Sequence, residues 1–338
     1  MRNGKLKKVL VLTMCVAMGA ALTACGSSGG TKESSAGTKE NSGGAAESGD
    51  KKVIGVTINH TQDVFMKNLE SGVLSAAEDY ADKYEVKCVE AGQDPAEQLS
   101  QVEQFVAEGV DCIVINPVNQ ESSSTAIEEA VAAGIPVMTV NTMSTDEAQA
   151  ECFTYVGSDA ITSGEIQGQY VAEHILNGAG KVAYITGVEG SQATIDRRAG
   201  WDNVMKDYPE IEIVLEGTGN YVQADAMELV ENWLQTGEEI DCIVCQGADM
   251  AVGALLALED AGKVGEIAIS GIDMSEDIAA AIKDGTIANS VFQDAIGQGY
   301  GAVEYAAKYL EGEKLESIID IPYELVTADN VDDYEGRY

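Results

Sequence analysis

Basic residues are scarce in this chain: 20 Lys and Arg stand against 57 Asp and Glu, giving a formal charge of −37. Such a surface repels the phosphates of nucleic acid and the headgroups of anionic lipids, so neither is expected as a partner held by charge. Histidine is scarcer still, with only His60 and His174. CxxC spacing occurs once, at Cys242-Ile-Val-Cys245, inside an apolar run where alternate side chains point to opposite faces. No zinc or other metal site is therefore expected, and no cofactor. A nucleotide site is not expected either. Gly217-Thr-Gly219 and Gly297-Gln-Gly299-Tyr-Gly301 are glycine pairs that do not complete GxGxxG after a strand. Long apolar runs are also missing, since none reaches the ~20 residues that span a bilayer.

What is present begins with a targeting segment. Arg2, Lys5, Lys7 and Lys8 form a basic stretch, 9–21 is a short apolar stretch, and Leu22-Thr-Ala-Cys25 precedes Gly26. A cysteine directly after a small residue at the cleavage point resembles the bacterial lipobox. The resemblance implies a signal peptide at 1–24, cleaved before Cys25, and lipid attached to the Cys25 thiol. Residues 25–50 hold Gly, Ser, Ala, Thr, Lys and Glu with no large apolar side chain. They bury too little to offset their ordering entropy and are expected to form a flexible tether. The body would then hang from the membrane by a lipid anchor, outside the cytoplasm. Five cysteines remain, Cys88, Cys112, Cys152, Cys242 and Cys245, mostly within strand patterns and read as buried thiols.

The body writes one plan twice. Val110-Asp-Cys-Ile-Val-Ile-Asn116 recurs as Ile240-Asp-Cys-Ile-Val-Cys-Gln246, and each copy leads through a helical stretch to a second apolar run, 135–140 and 267–272. Those runs end in Asn141 and Asp273, and the opening strands Lys52-Val-Ile-Gly-Val-Thr57 and Lys181-Val-Ala-Tyr-Ile-Thr186 rhyme as well. Strands are expected at 53–58, 86–89, 112–115 and 137–140, then at 182–186, 211–215, 243–245 and 267–270. Helical spacing between them (Phe65, Leu69, Val73, Ala77 and Tyr80 in the first case) gives alternating βα units. These imply an α/β fold with two similar doubly wound parallel-sheet halves. The length suits two domains rather than one.

Ligands of doubly wound sheets sit beyond the carboxyl ends of the strands. Here those ends carry Asn59, Asp63, Asn116, Asn141, Glu189, Gln246 and Asp273, nearly all neutral or acidic. That chemistry suits a neutral polyhydroxylated ligand. Sugar hydroxyls donate and accept, so carboxylates, amides and a guanidinium are apt partners, and aromatic faces cover C–H patches.

Several motifs together resemble the periplasmic sugar-binding proteins of the galactose/ribose type. They are Ile54-Gly-Val-Thr57 with Asp63-Val-Phe65-Met66, Tyr155-Val-Gly-Ser-Asp159 running into Gly164-Glu-Ile-Gln-Gly168, Met250-Ala-Val-Gly253, Gly271-Ile-Asp273 and Ile321-Pro-Tyr323. The resemblance covers nearly the whole body and implies the type 1 periplasmic binding protein fold, two lobes joined by a three-segment hinge. It places 51–158 and 294–326 in the N-terminal lobe and 159–293 and 327–338 in the C-terminal lobe, with crossings near 157–159, 293–294 and 325–327. It implies a monomer that binds a small sugar or polyol and delivers it to an ABC transporter permease.

Carried over residue by residue, the resemblance makes Asp63 a hydroxyl acceptor and Phe65 an aromatic that packs on the ring. Asn141 is an amide for ring hydroxyls, and Arg197 reaches the ring oxygen, with Arg198 left to the surface. Tyr221 is the opposite aromatic face, Asp273 accepts from two hydroxyls, Gln293 is the hinge amide and Asn59 is a further candidate. Phe65 as a core residue and Tyr221 as a loop residue stay open beside these roles. There are departures. Ser191 and Ala193 stand where hexose binders carry a histidine and an acid, and Gly247-Ala248 where an Asn-Asp pair is common, with Asp249 one residue on. Asn141-Thr142 replaces the Asp-Arg of ribose binders, and Asn177-Gly-Ala-Gly180 lacks the carboxylates of a calcium loop. A monosaccharide, a polyol or an inositol all remain open. A nucleoside- or autoinducer-binding lipoprotein of the same fold is the alternative, although four Phe and two Trp are few for it. A DNA-binding regulator of the same core would need a helix-turn-helix headpiece in place of the leader. An enzyme is not expected, because no nucleophile–base–orienter set is readable.

Overall fold

The computed structural model describes residues 51–338. The expected signal peptide, Cys25 and the expected tether to residue 50 lie outside the described residues. The first run of elements is β1 (Lys52–Ile58), α1 (Val64–Asp79), β2 (Tyr84–Glu90), α2 (Pro95–Glu108), β3 (Cys112–Ile115), α3 (Gln120–Ala132), β4 (Val137–Val140), the single turn α4 (Asp146–Gln149) and β5 (Tyr155–Gly157). The second run is α5 (Ala160–Tyr170), extended by a π-turn at Val171–Ile175, then β6 (Ala179–Thr186), α6 (Gln192–Met205), β7 (Glu210–Thr218), α7 (Gln223–Thr236), β8 (Cys242–Cys245), α8 (Ala248–Asp260), β9 (Ala268–Ser270), α9 (Glu276–Asp284) and β10 (Ser290–Phe292). The chain closes with α10 (Ala295–Leu310), β11 (Ile318–Asp320) and β12 (Glu324–Val326).

Most helices start where the sequence offers a side-chain cap, α7 and α8 being exceptions. Asp63 accepts from the Met66 amide, Asp94 from Ala96 with Pro95 behind it, Asn119 from Ser122 and Ser275 from Ile278. The strands β3, β4 and β8 are buried along their whole length. This explains their unbroken apolar sequences, because helices cover both faces of a parallel sheet.

The first sheet runs β11-β5-β4-β3-β1-β2, with every pair parallel. The second runs β7-β6-β8-β9, also parallel. A bridge from Ser270 to Asn289 carries its edge on to the antiparallel pair β10-β12. The two lobes therefore share one strand plan and differ in the direction of the last strand and in the break between β9 and β10. The duplication extends to helix packing. A Cβ on Gly72 would lie 2.1 Å from the Ile296 carbonyl and one on Gly299 1.9 Å from that of Leu69, so α1 and α10 cross backbone to backbone. In the second lobe Gly164 and Gly200 bring α5 and α6 together the same way, with Cβ positions 2.1 and 2.0 Å from the carbonyls of Arg197 and Ile161.

The lobes exchange chain three times. The first two crossings run from β5 to α5 and from β10 to α10. The third differs. Strand β12 pairs with β10, and Val326 packs in the core of the second lobe. The crossing therefore runs through 321–323, ahead of the expected 325–327, and 324–326 belong to the second lobe. Two short hinge strands side by side are better satisfied than one left alone, which the apolar pattern could not reveal.

Candidate functional site

The strand ends of each lobe are tied by one buried amide. In the first lobe Asn116 accepts from the Asn59 backbone N–H at 3.0 Å and donates to the Val140 carbonyl at 3.1 Å, joining the ends of β1, β3 and β4. In the second, Gln246 accepts from the Gly187 amide at 3.0 Å and donates to Tyr184 Oη and the Thr194 carbonyl, each at 3.1 Å. Asn116 and Gln246, noticed in the sequence as strand-end polar residues, are thus fully occupied in holding the lobe tips together.

Asn141 and Asp273 follow the fourth strand of each lobe and are structural counterparts. Both have left-handed backbones, φ 63° and 71°. Both donate their N–H to the next strand, to the carbonyls of Val156 and Val291 at 2.9 and 2.8 Å. Each carbonyl accepts from a hydroxyl, that of Tyr155 at 2.9 Å and that of Ser290 at 2.6 Å. Asn and Asp tolerate this conformation best among side chains that carry a polar tip. The tip is thereby turned off the sheet end.

Around Asp273 the second lobe assembles a buried polar cluster. Arg197, 4% exposed on α6, donates to the Gln246 carbonyl, to Gln293 Oε1 at 3.1 Å, to Tyr323 Oη at 3.4 Å and to Asp273 Oδ1 at 3.5 Å. Its Nε has no partner within the protein. Burial raises the Asp273 carboxyl above its ordinary range; Arg197 opposes this, while Asp63 and Asp249 add to it. Asp249, on the first turn of α8, is raised by burial and then by Asp63. The charge of Asp63, from the first lobe, thus disfavours ionisation of Asp249 and Asp273 in the second. Asp63 itself caps α1 through Met66 N at 2.8 Å and lies 3.5 Å from His60 Nε2.

Tyr221 has φ 59° and packs its ring where Gly187 and Gly247 leave room. A Cβ at 247 would lie 2.8 Å from the ring, so the residue that departs from the usual Asn-Asp pair is what admits the tyrosine. Its hydroxyl meets Thr194 Oγ1 at 3.0 Å, and Ser191, another departure, caps α6 beside it. Phe65 is partly buried and packs against the core of the first lobe. Asn59 Oδ1 is buried without a partner. Arg198 pairs with Asp202 and Glu216 on the surface, as read from sequence.

The structure thus brings Arg197 into contact with both Asp273 and Gln293, with the charge of Asp63 acting on Asp273, while Asn59 and Asn141 meet around Asn116. Tyr323, Thr194 and Gln298 were missed. Tyr323 lay in a quoted motif but carried no distinguishing signal, and Gln298 lay among glycines that drew attention for a different reason. The five cysteines are free, and burial pushes their thiols up, those of Cys88 and Cys152 to about 12. No described helix is long and apolar enough to cross a membrane.

Residues 54–314 match the family model described as a periplasmic binding protein domain. The chain belongs to the periplasmic binding protein family. A Rhizobium meliloti protein named for rhizopine binding is 35% identical over 293 residues, 85% of this chain and 93% of that protein. A ribose import binding protein of Bacillus subtilis is 32% identical over 284 residues, 83% of this chain and 90% of that protein. Among solved structures, an ABC transporter solute binding protein from Bacillus halodurans with bound myo-inositol superposes with a TM-score of 0.80 at 37% identity, covering 87% of this chain and all of that one. The expected family, α/β class and two-lobed type 1 fold are thereby established for this periplasmic binding protein. Its family is one of extracytoplasmic binding proteins rather than enzymes.

Proposed function

We propose that this protein is a monomeric, lipid-anchored receptor that binds a monosaccharide or polyol, with cyclitols foremost, between its lobes and delivers it to an ABC permease. It would do so without catalysis. The observation that carries the reading is the Arg197–Asp273 cluster, a guanidinium almost wholly buried with a free Nε–H, beside a carboxylate and facing Asp63. A buried N–H seeks an acceptor, and a ring or hydroxyl oxygen flanked by two carboxylate acceptors fits that demand. In this reading Asp63 and Asp273 accept from hydroxyls, Asn59 and Asn141 offer amides, and Tyr221 and Phe65 cover C–H faces. Gln293 holds Arg197 in place. Relatives named for rhizopine and ribose binding, and a similar structure holding myo-inositol, support this ligand class. Anchoring rests on the lipobox-like Leu22-Thr-Ala-Cys25 alone.

A thermal-shift screen across pentoses, hexoses, acyclic polyols, inositols and nucleosides tests the reading. A ligand at 100 times its Kd stabilises by about 2.7 kcal/mol, which is readily detected. The expected hits are inositols, polyols or monosaccharides. A response to nucleosides alone would overturn the proposal in favour of the alternative.

A further inference from the structure

Gln298 touches both the side-chain amide of Asn141 in the first lobe and the hinge, beside a backbone link that the Tyr155 hydroxyl makes between the Asn141 and Ser158 carbonyls. It is fully buried on the first turns of α10, just past the second crossing. Its Oε1 accepts from Asn141 Nδ2 at 3.1 Å, and its Nε2 donates to Ser158 Oγ, in the first crossing, at 2.9 Å. Ser158 Oγ in turn donates to the carbonyl of Ile321, in the third crossing. Every donor in this chain points the same way, from Asn141 through Gln298 and Ser158 to Ile321. Such a run of hydrogen bonds reinforces itself in a dry interior, and reversing one member leaves its neighbours mismatched. It also fixes which end of the Asn141 amide is free, since Oδ1 is met by Asn116 Nδ2 at 3.4 Å and one N–H is given to Gln298. The second lobe has a similar linkage by other means, with Arg197 bonded directly to Gln293 and Tyr323 of the second and third crossings.

From this geometry we infer that Gln298 is a positioning residue that orients Asn141 and couples its engagement by ligand to the hinge. The inference rests on the proposed binding site. It goes beyond that proposal in assigning the coupling to a residue that does not line the cleft. A core amide with a merely structural role would lower stability when removed and leave affinity untouched.

The test compares wild type with Gln298→Met, which keeps length and volume without the hydrogen bonds, and Ser158→Ala, which removes both bonds of the Ser158 hydroxyl and leaves Gln298 bonded to Asn141. Each is combined with Asn141→Ala. Affinity for the tightest hit of the screen is measured by calorimetry, and amide hydrogen exchange at 157–159 and 321–323 is followed in ligand-free protein. Gln298→Met is expected to weaken binding about tenfold or more, the scale set by one unsatisfied buried polar group. Ser158→Ala should weaken it less. Neither should add its full effect to Asn141→Ala, because the residues act in series. Hinge exchange should quicken in both. Unchanged affinity with a lowered Tm, or effects that add fully to Asn141→Ala, would overturn the inference. Should wild type bind nothing in the screen, the site reading fails by itself. Hinge exchange then decides the link to the hinge, and unaltered exchange in Gln298→Met would overturn that too.

Discussion

Replacing Arg197 by Met removes four hydrogen bonds from one buried point and leaves the surrounding shape nearly filled. The Gln246 carbonyl and Gln293 Oε1 lose a donor, and Asp273 loses its counter-charge. Orphaned buried groups cost about 1–3 kcal/mol each, and a buried pair broken from one side costs about 3–5 kcal/mol. The two routes meet near 4 kcal/mol, against a total stability of about 5–15 kcal/mol for a folded domain. The ligand-free variant should therefore stay folded with a clearly lower urea midpoint. Its deficit should also depend on pH. With Arg197 gone, the Asp273 carboxyl, already raised by burial, rises further. A folded-state pKa above the unfolded value destabilises at pH above the folded pKa, and the penalty disappears as pH falls through the folded pKa to the unfolded one. Urea unfolding at neutral and mildly acid pH should accordingly show the gap between wild type and Arg197→Met narrowing as acid is added. The double variant with Asp273→Asn should recover part of the loss at neutral pH. A deficit under about 1 kcal/mol, or one insensitive to both pH and Asp273→Asn, would refute the reasoning.

Three further outcomes are expected. Gly299→Ala puts a methyl 1.9 Å from the Leu69 carbonyl, so α1 and α10 must separate at a cost of about 1–3 kcal/mol or more. Differential scanning calorimetry should show a Tm drop of several degrees, and ligand affinity should fall because α1 carries Asp63. Ligand affinity should weaken as pH descends toward the ordinary aspartate value of 3.8, because Asp273 and Asp249 take up protons above it. Calorimetry in two buffers of different ionisation heat should then record proton release on binding, and its absence would remove these carboxylates from the ligand's contacts. Cys25→Ala should shift the protein from the membrane fraction to the soluble fraction on immunoblotting, whereas retention at the membrane would contradict the lipid anchor.

Much of the lobe architecture is legible in the sequence because buried parallel strands are short, apolar and repeated. The matched segments 110–116 and 240–246 contain the central strands β3 and β8, and Asn141 and Asp273 occupy equivalent left-handed turns. The helices that follow the crossings are less legible. α5 and α10 carry Gly164, Gly168, Gly297, Gly299 and Gly301 where apolar side chains would mark a core face. Gly164 and Gly299 serve close backbone contact, and Gly168, Gly297 and Gly301 lie against side chains of Val204, Asp294 and Val156, which leaves no hydrophobic period to read. Strand β12 drew no reading from the sequence, because three residues have no periodicity. Within the candidate site, strand-end position marked Asn116, Asn141 and Gln246 in the sequence, but not what their amides join, and Gln298, inside a helix, carried no such mark. Asn116, Gln246 and Gln298 look like ordinary polar residues until the strand ends they join are seen in space. The role of Tyr221 depends on the absence of side chains at Gly187 and Gly247, which no reading of Tyr221 alone could supply.

The central claim is that one hydroxylated ligand is held by both lobes at once. Calorimetric titration of the mature protein with the tightest inositol, polyol or sugar, beside Asp63→Ala from the first lobe and Asp273→Ala from the second, tests it most directly. One ligand per chain is expected for wild type and a loss of at least tenfold in affinity for each variant, given about 1.5–3 kcal/mol for a hydrogen bond to a charged group. Affinity unchanged in both variants, or lost in only one of them, would contradict it.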